Sequence, residues 1–354
     1  MSDPLKSIRD RIDALDRRLV KLLSARARLA QRIGRLKEGA AYRPEREAQV
    51  LRGILAENRG PLPDGALARL FTEIMSACRS LEDSMSAAYL GPQGTFSQEA
   101  AVKHFGGLAA LAPCNSIDEV FRRVETGAAG YGVVPVENST EGAIGRTLDL
   151  LLSTPAQVCG EIMLPIRQCL MAKRDRLAGI RKVYSHAQSL SQCQQWLARN
   201  LPRAERVAVV SNAEAARLAA RERSAAAIGP RTAAALYGLK LIARNIEDEA
   251  KNTTRFLVIA ERDAAPSGRD KTSLVMSTRN VPGAMHELLT PLAVNQVSMT
   301  RLESRPSRTG LWEYVFYVDV EGHQRDPGVA RALAELKQKA SFLKILGSYP
   351  AAVA

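Results

Sequence analysis

The sequence predicts a multidomain protein in which an all-α segment precedes a two-lobed α/β domain and a smaller α+β domain. Residues 1–85 carry apolar side chains at the three- and four-residue spacing of helices. Residues 87–262 alternate short apolar strands with helices, and residues 271–354 follow the order strand, helix, strand, strand, helix, strand. A chain of 354 residues suits two or three domains. We therefore expect three domains with these boundaries.

The composition is typical of a soluble globular protein, with 46% hydrophobic and 25% charged residues. No apolar run approaches the roughly 18 residues that a membrane span requires, and the N-terminus has no apolar secretory region. The five cysteines form no CxxC pair, and there are only four histidines. We therefore expect a cytoplasmic protein with reduced thiols and without a metal site, an organic cofactor or membrane association.

The net charge of +13 is compatible with several kinds of anionic partner. The basic residues are dispersed and form no stripe, which argues against nucleic acid. A ligand-sensing transcription regulator is also disfavoured because the first helix is far longer than a helix-turn-helix element. A small anionic substrate remains, since arginine binds carboxylates well. An arginine-rich solvated surface is the open alternative.

The first segment is predicted to form three helices. The first is near 35 residues long, and its apolar seam comprises Leu5, Ile8, Ile12, Leu15, Leu19, Leu22, Leu29, Ile33 and Leu36. Pro44 suits the first turn of a second helix that ends near Asn58, and a third helix runs from Leu67 to Leu81. Two short helices cannot cover the long one, so its exposed seam predicts a homodimer.

Arg26 occupies the seam position between Leu22 and Leu29. An unpaired buried guanidinium costs several kcal/mol, so it requires an anion. One interpretation is an internal ion pair with Glu47 or Glu73. The other is a pocket between the helices in which arginines bind a dicarboxylate. The spacing alone leaves both open.

Three stretches, IRDRIDALDRRLVKLLSARARLAQRIGRLK, YRPEREAQVL and LFTEIMSACRSLE, resemble the all-helical chorismate mutase family. The resemblance implies that Arg9, Arg26 and Lys37 bind the substrate, with Arg9 reaching into the partner subunit's site. It also implies that Arg46 and Glu47 contact the ring side, Glu47 through the substrate hydroxyl. A dehydratase whose helical segment only mediates dimerisation is the alternative.

The mutase reaction is a rearrangement without covalent chemistry for the protein, so catalysis consists of holding a compact conformer and stabilising charge on the ether oxygen. The resemblance places Lys37 at that oxygen. Its partner in the family is often a glutamine, and the matching residue here is Glu82. A protonated Glu82 would donate to the oxygen, which predicts that mutase activity favours mildly acidic pH. Cys78 stands where a serine is common in the pocket.

In the middle segment, AAYLG, YGVVPVE, KVYSH, RVAVVS, AAAIG and RFLVIA predict a mainly parallel sheet, divided near residues 165 and 250 into two lobes with a cleft. Polar loops follow several of these strands, where open α/β sheets bind ligands.

GPQGTFS, PVENSTEG, SHAQSLSQC and NTTRF resemble the prephenate dehydratase motifs, which implies a periplasmic-binding-like fold. By resemblance, Thr254 donates or relays the proton to the leaving hydroxyl and Arg255 helps to hold a carboxylate. The implied substrate-positioning residues are Thr95, Asn138, Ser139, Ser185 and Gln192. His186 is a weaker candidate for the acid, because a lone histidine after a strand is more often structural.

The last segment is predicted to be ferredoxin-like, with helices beginning near Pro282 and Pro327 and a linker over residues 263–270. It resembles an ACT domain. The residues that match its phenylalanine-binding motifs are Gly283, Ala284, Met285, Glu303, Ser304 and Arg305. With the two catalytic resemblances, this implies conversion of chorismate to prephenate and of prephenate to phenylpyruvate, under feedback inhibition by phenylalanine through dimerised ACT domains.

Overall fold

The computed structural model describes residues 4–36, 42–82, 85–307 and 314–353. Lys37 lies outside these ranges. The helices are α1 (Pro4–Leu36), α2 (Pro44–Glu57), α3 (Asp64–Arg79), α4 (Phe96–Phe105), α5 (Ile117–Glu125), α6 (Gly145–Ser153), α7 (Ala187–Gln192), α8 (Gln194–Asn200), α9 (Asn212–Ala219), α10 (Arg231–Leu236), α11 (Ala284–Val294) and α12 (Pro327–Lys339). The strands are β1 (Ser86–Leu90), β2 (Ala110–Cys114), β3 (Tyr131–Asn138), β4 (Gly142–Ala143), β5 (Gln157–Pro165), β6 (Cys169–Ala172), β7 (Lys182–His186), β8 (Glu205–Val209), β9 (Ala225–Gly229), β10 (Lys240–Ala243), β11 (Thr253–Ala260), β12 (Asp270–Ser277), β13 (Met299–Pro306), β14 (Tyr314–Glu321) and β15 (Phe342–Pro350).

The N-terminal segment forms the three predicted helices. Helix α1 has 33 residues and buries none of them, so its apolar seam faces outward. Pro44 begins α2, as predicted, because proline loses no hydrogen bond in the first turn. Helices α2 and α3 pack on each other, and α3 also packs against α4 of the next domain. The mutase-like helices are therefore joined to the rest of the molecule through α3, and also through α2, which contacts β15.

The middle segment forms two lobes, each around its own sheet, which confirms the predicted division. The first sheet has the order β2-β1-β3-β11-β5, with β4 paired to β3. The second has the order β10-β6-β9-β7-β8. The chain passes from the first lobe to the second between β5 and β6, and it returns between β10 and β11. These two crossings are the connections between the lobes, and they are called the hinge below.

The prediction of a mainly parallel sheet is wrong, because both sheets are mixed. Strand β11 pairs antiparallel with β3 and with β5, and β6 pairs antiparallel with β9 and β10. The physical reason lies in the hinge. Strand β5 leaves the first lobe and β11 re-enters it, so these neighbours run in opposite directions. Only the strands joined through helices on the sheet faces, such as β1, β2 and β3, are parallel.

The C-terminal domain has the predicted ferredoxin-like order, with the antiparallel sheet β13-β14-β12-β15 and the helices α11 and α12. Its sheet shares a core with the first lobe, in which Tyr317 and Tyr349 pack with Leu148. Gly347 allows this approach, because a Cβ there would lie 2.2 Å from the carbonyl oxygen of Val158. Within the described ranges, no helix has the length and apolar character needed to cross a membrane.

Candidate active sites

A cavity of about 530 Å³ lies between α1, α2 and α3. Its lining includes five of the residues predicted for the mutase site, namely Arg26, Arg46, Glu47, Cys78 and Glu82. Sequence reasoning missed Arg43 and Arg79, which also line it. Arg43 directly precedes α2 and Arg79 directly follows Cys78, so their sequence positions were visible but the directions of their side chains were not. The cavity is rich in guanidinium groups, as a site for a dianion requires.

Arg26 is half-buried, and its Nη1 donates to Sγ of Cys78 at 2.9 Å. The two carboxylates considered as internal partners are engaged elsewhere. Glu47 pairs with Arg79, and Glu73 accepts hydrogen bonds at 3.0 Å from the amide of Gly107. In the described part of the chain, neither is hydrogen-bonded to Arg26. This geometry favours the second interpretation, in which the Arg26 guanidinium serves an anion in the cavity.

Two of the three carboxyl groups in the cavity lining, those of Glu47 and Glu82, have different surroundings. Burial raises the pKa of Glu47, and the charge and hydrogen bond of Arg79, with a weaker contribution from Arg26, oppose that rise. Glu82 packs against α1 at Gly34, where an added Cβ would lie 3.0 Å from its Cγ. Glu82 therefore lies close to the C-terminal end of α1, which leads to Lys37.

Arg9 is exposed and does not line this cavity. It precedes Arg26 by 17 residues on one continuous helix, and at 1.5 Å per residue the two lie about 25 Å apart along the axis. No arginine side chain spans that distance. Arg9 is therefore unable to reach the cavity of its own chain.

In the first lobe, Asn138 and Thr254 are brought together as predicted from their motifs. Asn138 Oδ1 accepts from the backbone amide of Thr140 at 3.1 Å, which fixes the orientation of the side-chain amide. Its Nδ2 therefore donates to Thr254 Oγ1 and to Asn252 Oδ1, each at 2.8 Å. Because the Thr254 oxygen accepts this bond, its own hydrogen remains for donation to another group.

Asn252 was not assigned a role from the sequence, although it belongs to the NTTRF motif. It is 1% exposed, and its Nδ2 has no hydrogen-bond partner among the described residues. Gln168, between β5 and β6, was also missed. It is equally buried, and it donates to Ser189 at 3.0 Å and to Gln192 at 3.2 Å. Its Oε1 has no hydrogen-bond partner among the described residues. Buried amide atoms without partners are costly, so both are candidates for contact with a ligand.

Four further residues predicted for the dehydratase site have separate roles in the local structure. Gln192 of the second lobe donates across the cleft to Glu141 of the first at 3.2 Å. Ser185 is fully buried and donates to the Ile228 carbonyl at 2.8 Å. Thr95 caps α4, and His186 precedes α7 without a side-chain cap bond.

Ser139 lies at the end of β3 and is exposed. Its Oγ accepts from the backbone amide of Thr253 at 3.0 Å, and its own amide donates to the Thr253 carbonyl at 2.9 Å. These bonds hold the loop after β3 against the start of β11. Ser139 therefore fixes the position of Asn138 relative to Thr254.

Arg255 follows Thr254 in sequence but contacts different parts of the molecule. Its Nε donates to Glu161 at 2.9 Å, its Nη1 pairs with Asp319, and its Nη2 donates to the Tyr349 hydroxyl at 2.8 Å. Neighbouring residues of a strand point to opposite faces, so Arg255 does not lie beside Asn138 and Thr254. The structure places it in the buried contact between the first lobe and the C-terminal domain.

A second cavity, of about 760 Å³, lies at the start of α11 and includes Ala284 and Met285 in its lining. Gly283 precedes α11 with φ +80°, a left-handed conformation that glycine adopts without strain. Glu303, Ser304 and Arg305 lie on β13 and do not line this cavity. Arg305 instead bonds to Asp149 of the first lobe at 3.3 Å.

Comparisons with known proteins match all three parts of the chain. The family model of chorismate mutase type II matches residues 8–83, that of prephenate dehydratase residues 87–264, and that of the ACT domain residues 272–338. A bifunctional chorismate mutase/prephenate dehydratase of Neisseria gonorrhoeae is 54% identical over 98% of this chain and 96% of its own length. The chain belongs to the bifunctional chorismate mutase/prephenate dehydratase family.

Two further relatives support the arrangement of this bifunctional enzyme. The bifunctional chorismate mutase/prephenate dehydratase of Stutzerimonas stutzeri is 51% identical over 99% of each chain. Among solved structures, a prephenate dehydratase from Arthrobacter aurescens in complex with L-Phe is 34% identical, with a TM-score of 0.69. That match covers 76% of this chain and 93% of the other.

Proposed function

We propose that this enzyme converts chorismate to prephenate in the cavity between α1, α2 and α3, and prephenate to phenylpyruvate in the two-lobed domain. Phenylalanine then inhibits the enzyme through the C-terminal domain, and both reactions take place in the cytoplasm. The observation that carries this proposal is that both catalytic domains occur in one chain, which matches a bifunctional relative along nearly its whole length.

In the mutase site, Arg26 binds a substrate carboxylate, and Cys78 fixes its guanidinium. Arg46 contacts the ring side of the substrate. Glu47 accepts a hydrogen bond from the substrate hydroxyl. Lys37 and a protonated Glu82 stabilise the charge that develops on the ether oxygen as the bond breaks. The protein supplies orientation and electrostatic stabilisation, and no proton is transferred.

The active enzyme is a dimer in which α1 packs against α1 of a second copy. The exposed apolar side chains of α1, such as Ile12 and Leu19 at 51% and 53% exposure, supply the interface. Arg9, which lies too far from its own cavity, then reaches the cavity of the partner. Each mutase site is therefore completed by the other chain.

In the dehydratase site, the Thr254 hydroxyl donates or relays a proton to the leaving hydroxyl of prephenate, and a proton from solvent restores the Thr254 hydroxyl. The bond between the ring and its carboxylate breaks to release carbon dioxide, its electron pair completes the aromatic ring, and the protonated hydroxyl leaves as water. Asn138 supports this step because its amide donates to the Thr254 oxygen and orients the remaining hydrogen outward. Ser139, Gln192 and Thr95 position the substrate, with Ser185 acting through the buried network around Asn212.

Phenylalanine is proposed to bind at the cavity at the start of α11, with Gly283, Ala284 and Met285 at the helix N-terminus. Glu303, Ser304 and Arg305 complete the effector site in the dimer.

The experiment is to supply prephenate to the purified enzyme and follow phenylpyruvate with and without phenylalanine. Inhibition that is weakened by Ala284→Leu, which fills the cavity, supports the proposal. Dehydratase activity unchanged at phenylalanine concentrations on the order of millimolar would refute it.

A further inference from the structure

Arg79 is a buried arginine that joins the mutase cavity to the dehydratase domain. It is 6% exposed, although it lies at the end of α3. Its Nη1 pairs with Glu47, and its Nη2 donates to the backbone carbonyl of Phe105 at the end of α4. The two ends of one guanidinium therefore hold a residue of the mutase site and a backbone atom of the next domain.

The surroundings of Arg79 restrict its movement. Its guanidinium carbon lies 5.1 Å from the centre of the Tyr42 ring, within cation–π range. Tyr42 is itself buried among dehydratase residues, with its hydroxyl 2.5 Å from His104 Nε2 and its ring 5.0 Å from that of Tyr131. Arg79 is thus fixed on three sides, and two of the three contacts depend on the dehydratase domain.

Glu47 depends on this arrangement for its charge and its direction. Burial raises the pKa of Glu47, and Arg79 is the strongest influence that opposes the rise. In the described residues only one Glu47 oxygen, Oε1, is bonded to Arg79, and Oε2 has no protein partner. The carboxylate is therefore held by one oxygen, on a residue that lines the cavity.

We propose that Arg79 is a positioning residue of the mutase site, which directs the Glu47 carboxylate while the dehydratase domain holds Arg79 in place. The proposal rests on the role assigned above to Glu47 as acceptor of the substrate hydroxyl. It implies that the mutase centre is organised partly by the neighbouring domain, and not by the three helices alone.

The test is a double-mutant cycle of Arg79→Met and Glu47→Gln in the full-length enzyme, with kcat and KM measured for prephenate formation from chorismate. We expect Arg79→Met to lower the mutase kcat by at least about tenfold, since it removes a charge-assisted contact that orders the site. In the Glu47→Gln background the same change should have almost no further effect, because Arg79 acts through Glu47. Arg79→Lys should recover part of the loss.

Arg52→Met is the matched control. Arg52 is also a helical arginine of the mutase segment that donates to backbone carbonyls outside that segment, at Ser267 and Arg269 of the linker, but it does not line the cavity. It should leave the mutase kcat unchanged. Dehydratase activity on added prephenate reports folding, and if Arg79→Met abolishes it, the cycle is run with Arg79→Lys instead.

The possible results distinguish a failure of the role proposed for Arg79 from a failure of the role proposed for Glu47. Unaltered mutase kcat in Arg79→Met, or losses that multiply with those of Glu47→Gln, would overturn the role of Arg79. A Glu47→Gln enzyme with full mutase activity would instead remove the role proposed for Glu47.

Discussion

The two proposed catalytic centres of this chain use different kinds of side chain. The mutase cavity is lined by charged groups, among them Arg26, Arg46 and Glu47. The dehydratase centre is built from neutral amides and hydroxyls, with Asn138, Asn252 and Thr254 in one continuous set of hydrogen bonds. The mutase cavity also borders the exposed helix α1, whereas the dehydratase residues lie in the interior of a folded lobe.

The difference follows from the two reactions. A rearrangement moves no proton, so fixed positive charges that bind carboxylates and stabilise an ether oxygen are sufficient. Loss of a hydroxyl requires a proton at a defined point, and a hydroxyl is useful there only if its hydrogen is correctly directed. The neutral network of the second centre supplies that direction. In the proposed sites, charge therefore dominates the first and the direction of hydrogen bonds the second.

The largest expected effect is in the neutral centre. Thr254→Val removes the hydroxyl while keeping the shape of the side chain, so dehydratase kcat should fall by about 10²–10⁴ with mutase activity unchanged. Thr253→Val is the matched control, because the hydroxyl of Thr253 donates only to the carbonyl of Lys251. The measurement is phenylpyruvate formation from added prephenate. Equal losses in both variants would show that the position of Thr254 carries no special role.

Substitution of Arg255 tests whether its charge stabilises the fold or binds a substrate carboxylate. Arg255→Met leaves Glu161 and Asp319 as buried carboxylates without their guanidinium partner, which should lower the free energy of unfolding by roughly 3–5 kcal/mol. Urea denaturation measures this. The control is Arg217→Met, which removes an ion pair with Glu214 that is far more exposed and should change stability little. A stable Arg255→Met enzyme that binds prephenate poorly would instead support the role in carboxylate binding implied by the resemblance.

The smallest expected effect concerns Glu82 in the charged centre. If a protonated Glu82 donates to the ether oxygen, mutase activity should favour mildly acidic pH over the range from about 5 to 8. Glu82→Gln supplies a donor at every pH and should flatten the profile. The measurement is the mutase kcat of both enzymes across this range. A flat profile in the wild type would contradict the requirement for protonation.

Much of the fold was predictable because it is encoded in local patterns. The seam from Leu5 to Leu36 predicts α1, Pro44 marks the start of α2, and the order of elements predicts the ferredoxin-like domain. The strand directions were less accessible, because periodicity identifies a strand without its partner. The return of β11 between β3 and β5 is a property of the hinge, and no single segment of the sequence expresses it.

The site residues likewise divide into those that local motifs predict and those that depend on contacts between domains. Asn138 and Thr254 belong to motifs at the ends of strands, so their meeting was predictable. The direction of Arg255 was not, because its partners Asp319 and Tyr349 belong to another domain. Gln168 lies in a hinge segment with no periodic pattern that would distinguish it.

The most direct test of two independent centres is to supply chorismate and measure prephenate and phenylpyruvate separately for wild type, Arg26→Ala and Thr254→Val. We predict that Arg26→Ala forms no prephenate but still converts added prephenate. Thr254→Val should accumulate prephenate without phenylpyruvate. A wild-type enzyme that makes no prephenate from chorismate, yet converts added prephenate, would contradict the account and reduce the helical segment to a dimerisation element.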